Sequence, residues 1–349
     1  MLAINPNSSV YRLQTMMHSF KVIYSLTPKQ VNAFMKSYEI YEADWDHGEA
    51  IRGKSKVDYQ DVKQNILSWY EVMNQLCAVG EVEKMYIPPT MDATKNIINN
   101  QILFEERFCD AIRMKAGDKA FELGCGRGRV AAHLASRSGA DITAINIDET
   151  QLQEAVAFAK KNNLEKQCHF MNADFNDLPF PFADNTFDCV YEIQALSLSR
   201  DLHKLFTELH RIMKPNGRIS LLEWVRLPAY DPANPHHLAL MKKVKPLIGA
   251  IGTPSPAEYE SALRDAGFKI VVSEDPSLHQ TQEPLIKQAN HYFGKIFSFI
   301  SFLVMIKVLP AHFVTIFDKL SQDVDALCEA DRLGLVTMCY HIVAENKKS

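Results

Sequence analysis

The 349-residue sequence holds no C-x-x-C or H-x-x-H pairing, so nothing in it is spaced to ligate a metal. Asp44, Asp46 and His47 lie close together but read as a solvated loop. The seven cysteines (77, 109, 125, 168, 189, 328 and 339) are odd in number and scattered, which argues against a disulfide framework and for a reducing, cytoplasmic setting. Positive charge is not in excess: 38 Lys and Arg stand against 42 Asp and Glu, so no nucleic-acid partner is expected. The N-terminus lacks a basic stretch followed by a clean apolar run, so no signal peptide is expected. An apolar run of the ~20 residues needed to span a bilayer is missing as well. The nearest approach, Ile296–Leu309, is interrupted by Lys307 and stopped by Pro310. It is expected to be a buried helix or the wall of a lipophilic pocket, with an interfacial membrane contact as the alternative. At 47% apolar and 23% charged residues, the composition is that of a globular protein with an ample core.

What is present centres on Lys119–Arg129, K-A-F-E-L-G-C-G-R-G-R. Apolar Ala120, Phe121 and Leu123 run into Gly124, Gly126 and Gly128, after which Val130, Ala131 and Leu134 adopt helical spacing. The pattern predicts strand, tight turn and helix, with glycines where backbone must approach a ligand or take a positive φ. A dinucleotide fingerprint would read G-x-G-x-x-G and seat a pyrophosphate on the helix N-terminus. Here the loop is G-x-G-x-G preceded by Glu122, an acid that repels a pyrophosphate but suits a cationic ligand such as S-adenosylmethionine. A glycine-rich turn that binds nothing is the bland alternative for this stretch taken alone.

Along the chain, residues 1–30 show little regular pattern. Helical spacing appears at Asp58–Leu76 and again at Thr94–Met114. An alternating pattern then predicts strands ending at Leu123 and over Asp141–Ile147, Cys168–Asn172, Phe187–Ile193, Arg218–Trp224 and Phe268–Ser273. A turn is expected at Lys214–Gly217, and a last β-rich run at Leu335–Ala344. The fold class is therefore α/β: a Rossmann-like, seven-stranded, mostly parallel sheet with helices on both faces. N-terminal helices and a C-terminal helical cap complete it. The expected division is a helical lid over 1–93, a nucleoside-binding core over 94–275, and a helical substrate cap with the last strand over 276–349.

Ligands gather at the carboxyl ends of such strands. There the sequence offers Glu122 and the glycines, Asn146 with Asp148 nearby for ribose hydroxyls, Asp174-Phe175 for an adenine amino group and ring face, and Tyr191-Glu192 to close the pocket. Four loops in register point to a nucleoside ligand.

With E-L-G-C-G-R-G, A-D-F-N-D-L-P-F-P-F-A-D-N-T-F-D-C-V-Y and L-H-R-I-M-K-P-N-G-R-I in place, residues 94–273 resemble the class I S-adenosylmethionine-dependent methyltransferases. The resemblance implies the cofactor at Glu122, Gly124, Cys125, Gly126, Gly128, Asn146, Ile147, Asp174, Phe175 and Tyr191. L-E-W-V, Y-D-P-A-N-P-H-H and V-S-E-D resemble the sterol 24-C-methyltransferase family more narrowly, which implies a lipid-binding C-terminal cap. The acceptor motifs depart from that family. Where it reads Y-E-Y-G-W-G, only Gly80 of Cys77–Val82 agrees, with Glu81 one residue on. Where it reads I-E-A-T-C-H-A, Gln194 and Leu198 replace the acid and the histidine. Methylating an isolated alkene makes a carbocation that needs aromatic and carboxylate groups. The altered set suits O-methylation, or C-methylation of a carbon that is already nucleophilic.

The expected activity is thus methyl transfer to a large lipophilic acceptor: isoprenoid, steroid-like or polyketide. Tyr191, Glu192, Gln194 and Glu223 are the candidate catalytic groups, and Glu81, Tyr86 and His236 could reach in from other segments. The alternative is a cofactor-binding isomerase, cyclase or inactive partner subunit that transfers no methyl group. A homodimer and a peripheral membrane contact are both compatible with the sequence.

Overall fold

The computed structural model describes residues 9–42, 59–79 and 83–348. Two helices open the chain, α1 (Ser9–Tyr24) and α2 (Pro28–Ser37), where the sequence showed little regular pattern. Thr27 caps α2 reciprocally with Gln30, and Pro28 starts it, a combination that fixes a helix N-terminus locally. The long α3 (Tyr59–Val79) and α4 (Ile97–Ala111) follow, close to their expected positions.

The core alternates as anticipated. It runs β1 (Lys119–Leu123), α5 (Arg129–Ser138), β2 (Asp141–Asn146), α6 (Glu149–Lys161), β3 (Cys168–Asn172), β4 (Phe187–Ile193), α7 (Leu202–Ile212) and β5 (Met213–Arg226). Then come α8 (Pro235–Ile248), α9 (Pro256–Asp265) and β6 (Phe268–Glu274). A helical insertion, α10 (Glu283–Met305), α11 (His312–Ser321) and α12 (Val324–Arg332), precedes β7 (Val336–Asn346). The expected turn at Lys214–Gly217 lies inside the long β5, with Asn216 in the left-handed region.

The seven strands pair in the order β3-β2-β1-β4-β5-β7-β6. Pairings from β3 to β5 are parallel, while β7 runs antiparallel to both β5 and β6. β1 is buried from Ala120 to Leu123, as expected of a central strand covered by helices on both faces. The strand order reverses beside β1, which opens a crevice at the carboxyl ends of β1 and β4. Separate apolar clusters fill the two faces of the sheet. A third gathers Ile23, Phe34, Trp69, Ile300, Phe313 and Phe317. That third cluster welds the N-terminal helices to the C-terminal insertion, although about 250 residues separate them in sequence.

Candidate active site

Gly124, Gly126 and Gly128 turn the chain from β1 into α5 at φ values of 67°, 52° and 69°. A Cβ on Gly124 would come within 2.6 Å of the Ala195 Cβ, and one on Gly128 within 2.7 Å of the Ala155 Cβ. Any side chain at these positions therefore meets both strain and a clash. Above the turn lies a cavity of about 110 Å³. Its walls include Glu122, Gly124, Cys125, Gly126, Asn146, Ile147, Asp174 and Phe175. Gly128 and Tyr191 stand behind them. Gly128 packs α5 against α6 and β3, and the Tyr191 hydroxyl donates to Glu122 Oε2 at 3.0 Å.

Glu122 is buried with no cation beside it among the described residues. Burial pushes its carboxyl up to about 8, against the opposing pull of the Tyr191 hydrogen bond. A ligand carrying positive charge would relieve that burial cost, whereas a pyrophosphate would add to it. Asn146 donates to Gln151 Oε1 at 2.6 Å, and Gln151 in turn donates to Asn74 Oδ1 on α3 at 2.6 Å. Asp174 accepts from the Tyr59 hydroxyl at 2.5 Å and pairs with Lys63 at 3.2 Å, both also on α3. Asp148 is the N-cap of α6, its Oδ1 accepting from the Thr150 and Gln151 backbone N–H groups.

α3 thus lies across the cavity mouth, contributing Tyr59, Ile66, Tyr70 and Asn74 to its lining. These residues escaped the sequence reading because they sit on a helix that looks ordinarily amphipathic. The available signal was the amide pair Asn74-Gln75 among the buried side chains of α3.

A second strap is fixed by charge. Glu105 is fully buried on α4 and receives Lys84 Nζ at 2.6 Å, the Tyr86 hydroxyl at 2.6 Å and His133 Nδ1 at 2.5 Å. Burial alone would raise the Glu105 carboxyl, but Lys84 and His133 together hold it below its ordinary value. Lys84, Met85 and Tyr86 are thereby held against the cavity above the glycine turn.

Beside it lies a larger, apolar cavity of about 200 Å³. Trp69, Met73, Trp224, Leu247, Phe293 and Leu327 are among its walls, and among the described residues no Asp, Glu, His, Lys or Arg lines it. Met85, Tyr86 and Gln194 line both cavities. Gln194 sits in the left-handed region at φ 53°. Its amide accepts from the Ile87 N–H at 3.3 Å and donates to the Ile87 carbonyl at 2.9 Å and the Met338 carbonyl at 2.5 Å. Those bonds tether it as a post between the two spaces.

The other expected catalytic residues line neither cavity. Glu192 and Glu223 are fully buried next to one another, the Oε2 of each without a hydrogen-bond partner among the described residues. Burial raises both carboxyls, Glu223 to about 7, and mutual repulsion pushes Glu192 further up. Like charges this close leave the pair sharing a proton. Glu192 accepts from the Ala195 N–H, and Glu223 from the Leu196 N–H at 2.6 Å, so the pair anchors the loop that carries Gln194. His236 is exposed and paired with Glu329 at 2.9 Å. Glu81, like Asp44, Asp46 and His47, lies outside the described residues. Among the described residues no group of side chains is arranged to hold a metal.

Residues 121–221 match the methyltransferase domain family. The chain is 29% identical over 254 residues to sterol methyltransferase-like 3 of Botryococcus braunii, covering 71% of this chain and 64% of that protein. It is 31% identical over 195 residues to the sterol 24-C-methyltransferase of Pneumocystis carinii, covering 54% and 50%. The chain therefore spans less than two thirds of the length of either relative. Among solved structures, the [4+2]-cyclase SpnF superposes with a TM-score of 0.65 at 18% identity, over 82% of this chain and 97% of that one. The domain match, the relatives and a sheet order with its glycine turn at the β1 carboxyl end agree: residues 121–221 carry a methyltransferase domain on a Rossmann-like methyltransferase fold, and the chain is similar to the sterol methyltransferases.

Proposed function

We propose that the protein transfers a methyl group from S-adenosylmethionine to a large, uncharged lipophilic acceptor seated in the second cavity. The observation that carries this reading is the common wall of Met85, Tyr86 and Gln194, which sets an apolar space directly beside the polar one. In this reading Glu122 takes the ligand's positive charge, Asn146 the ribose, and Asp174 with Phe175 the adenine. When bound, the cofactor supplies a methyl group on a positively charged sulfur, open to in-line displacement.

The protein's contribution is position and dryness. Burial lifts the Cys77 thiol to about 12, and burial reinforced by Glu105 lifts the Tyr86 phenol well above its usual range. Among the described residues, no carboxylate, imidazole or amine lines the acceptor cavity to serve as a base. An acceptor that is already nucleophilic, such as an enol or an electron-rich carbon, fits this lining. An isolated alkene, which would need a carboxylate beside the developing cation, fits poorly.

The same absence of a base favours a second reading, in which the cavity shapes a polyene or polyketide for cyclisation and the bound cofactor is not consumed. The fold shared with a [4+2]-cyclase makes that reading concrete without deciding it. Mass spectrometry of the protein with S-adenosylmethionine and a panel of sterols, isoprenoids and hydroxylated polyketides separates the two. A product heavier by one methylene, with S-adenosylhomocysteine formed in equal amount, is the expected result. A product of unchanged mass with cofactor retained would establish the second reading instead.

A further inference from the structure

Two long stretches of this acidic chain contain no acid at all. Residues 1–38 carry four Lys or Arg and residues 284–317 carry three, with no Asp or Glu in either. The fold brings α1 of the first stretch against α11 of the second, from opposite ends of the sequence. His312 Nε2 on α11 bonds the Ile23 carbonyl on α1 at 2.9 Å, and the Phe20 and Phe313 rings lie 5.2 Å apart.

Both stretches turn apolar side chains outward. On α1, Leu13, Met17 and Tyr24 form one exposed stripe with Lys21 between them, Met17 being 63% exposed. On α10 and the turn after it, Phe299, Phe302, Met305, Ile306 and Val308 are exposed, Phe299 at 61% and Met305 at 70%. Lys295 and Lys307 flank them, both exposed and without an acidic partner among the described residues. The inner face of α10 is apolar too: Ile286, Ala289 and Phe293 line the 200 Å³ cavity, and Ile300 is fully buried. A helix that is apolar on both faces is normally covered on both. The acids that bracket the region, Glu283 and Asp318, lie at its margins.

We infer that this face is a docking surface for an anionic lipid bilayer, lying in the interface with α10 roughly parallel to it. Phenylalanine and methionine side chains enter the boundary between headgroups and acyl chains, while the lysines meet the lipid phosphates. Among the described residues no helix is long and apolar enough to cross a membrane, which fits a protein that rests on one. A second copy of the chain is a poorer occupant, because a two-fold contact about this patch would set its lysines against each other, with the bracketing acids among the described residues only at its margins. One side of α10 then contacts lipid while the other walls the cavity, giving a lipophile a short path between them. The inference stands apart from methyl transfer and does not require it.

Sedimentation of the full chain with phosphatidylcholine vesicles, with and without phosphatidylserine, tests it. Binding is expected with phosphatidylserine, falling as salt rises. The double substitution Lys295→Gln, Lys307→Gln should weaken it by about 30-fold, at about fivefold per lysine. Phe299→Ser with Phe302→Ser should abolish it while leaving the melting temperature unchanged, since both side chains are exposed. Absence of vesicle binding, or binding indifferent to both double variants, would overturn the inference. So would a dimer, seen by analytical ultracentrifugation without lipid, that the Phe299→Ser, Phe302→Ser variant dissolves.

Discussion

The two cavities share a wall and differ in almost everything else. The cofactor side is polar, and its side chains are tied into bonded chains: Asn146 through Gln151 to Asn74, Asp174 to Tyr59 and Lys63, Glu105 to Lys84, Tyr86 and His133. The acceptor side offers two amides (Gln194 and Asn290), a serine, a tyrosine, a cysteine and two indoles within an otherwise apolar lining. A preorganised polar site recognises one ligand well and resents change. An apolar cavity without charges discriminates by volume and shape, which lets a family keep one half of its site and rewrite the other.

The largest effects should come from forcing the two halves apart. Gly124→Val adds a Cβ where the Ala195 Cβ would lie 2.6 Å away, at a φ of 67°. Strain and overpacking of about 1–3 kcal/mol each should weaken S-adenosylhomocysteine binding by roughly 100-fold or more. Calorimetry should show that loss while a lipophile still enters the other cavity. Unchanged cofactor affinity would mean the turn does not cradle it. Ala289→Trp is the mirror experiment, filling the acceptor cavity from α10. Lipophile affinity should fall by about 10- to 100-fold, the order of an overpacked cavity, with cofactor affinity unaltered.

The same division explains what could be read from the chain alone. The β-α alternation, the glycine turn and the strand-end residues Glu122, Asn146 and Asp174 were legible because each is a local pattern with a local physical cause. The capping box at Thr27 was equally local, yet α1 and α2 went unread because their apolar faces only acquire meaning against α3, α10 and α11. The acceptor cavity was illegible for that reason: Trp69, Ile97, Trp224, Phe293 and Leu327 come from separate elements and look like ordinary core. Glu192 and Glu223 drew attention as acids at strand ends, while their burial as a mutual pair is a tertiary fact.

Glu122→Gln probes the boundary with two effects of opposite sign. Cofactor affinity should drop by about 10- to 100-fold, the worth of a charge-assisted hydrogen bond. Stability without cofactor should respond the other way. A carboxyl raised from its ordinary 4.5 to about 8 in the folded state makes its contribution below pH 4.5 and loses it as pH rises through 8. The wild-type protein should therefore lose stability over that interval, and Glu122→Gln should flatten part of the slope in pH-dependent melting. Glu192 and Glu223, raised in the same direction, add to that slope, whereas His341, lowered by burial from 6.5 to about 3, opposes it below pH 6.5. An unchanged slope in the variant would mean that Glu122 is already ionised or compensated.

The smallest effect is the one that reads the acceptor's chemistry. Trp224 is buried in the cavity lining, and its indole N–H has no hydrogen-bond partner among the described residues. A buried donor left unmatched is costly, so an acceptor that brings an oxygen to it is favoured over a pure hydrocarbon of the same shape. Trp224→Phe removes the donor and keeps most of the apolar surface. Affinity for an oxygenated lipophile should fall by about 2- to 12-fold, matching a net hydrogen bond of about 0.5–1.5 kcal/mol. Affinity for its deoxygenated analogue should hold or rise. If both ligands weaken equally, Trp224 acts by packing alone, and the cavity selects by shape without reading a functional group.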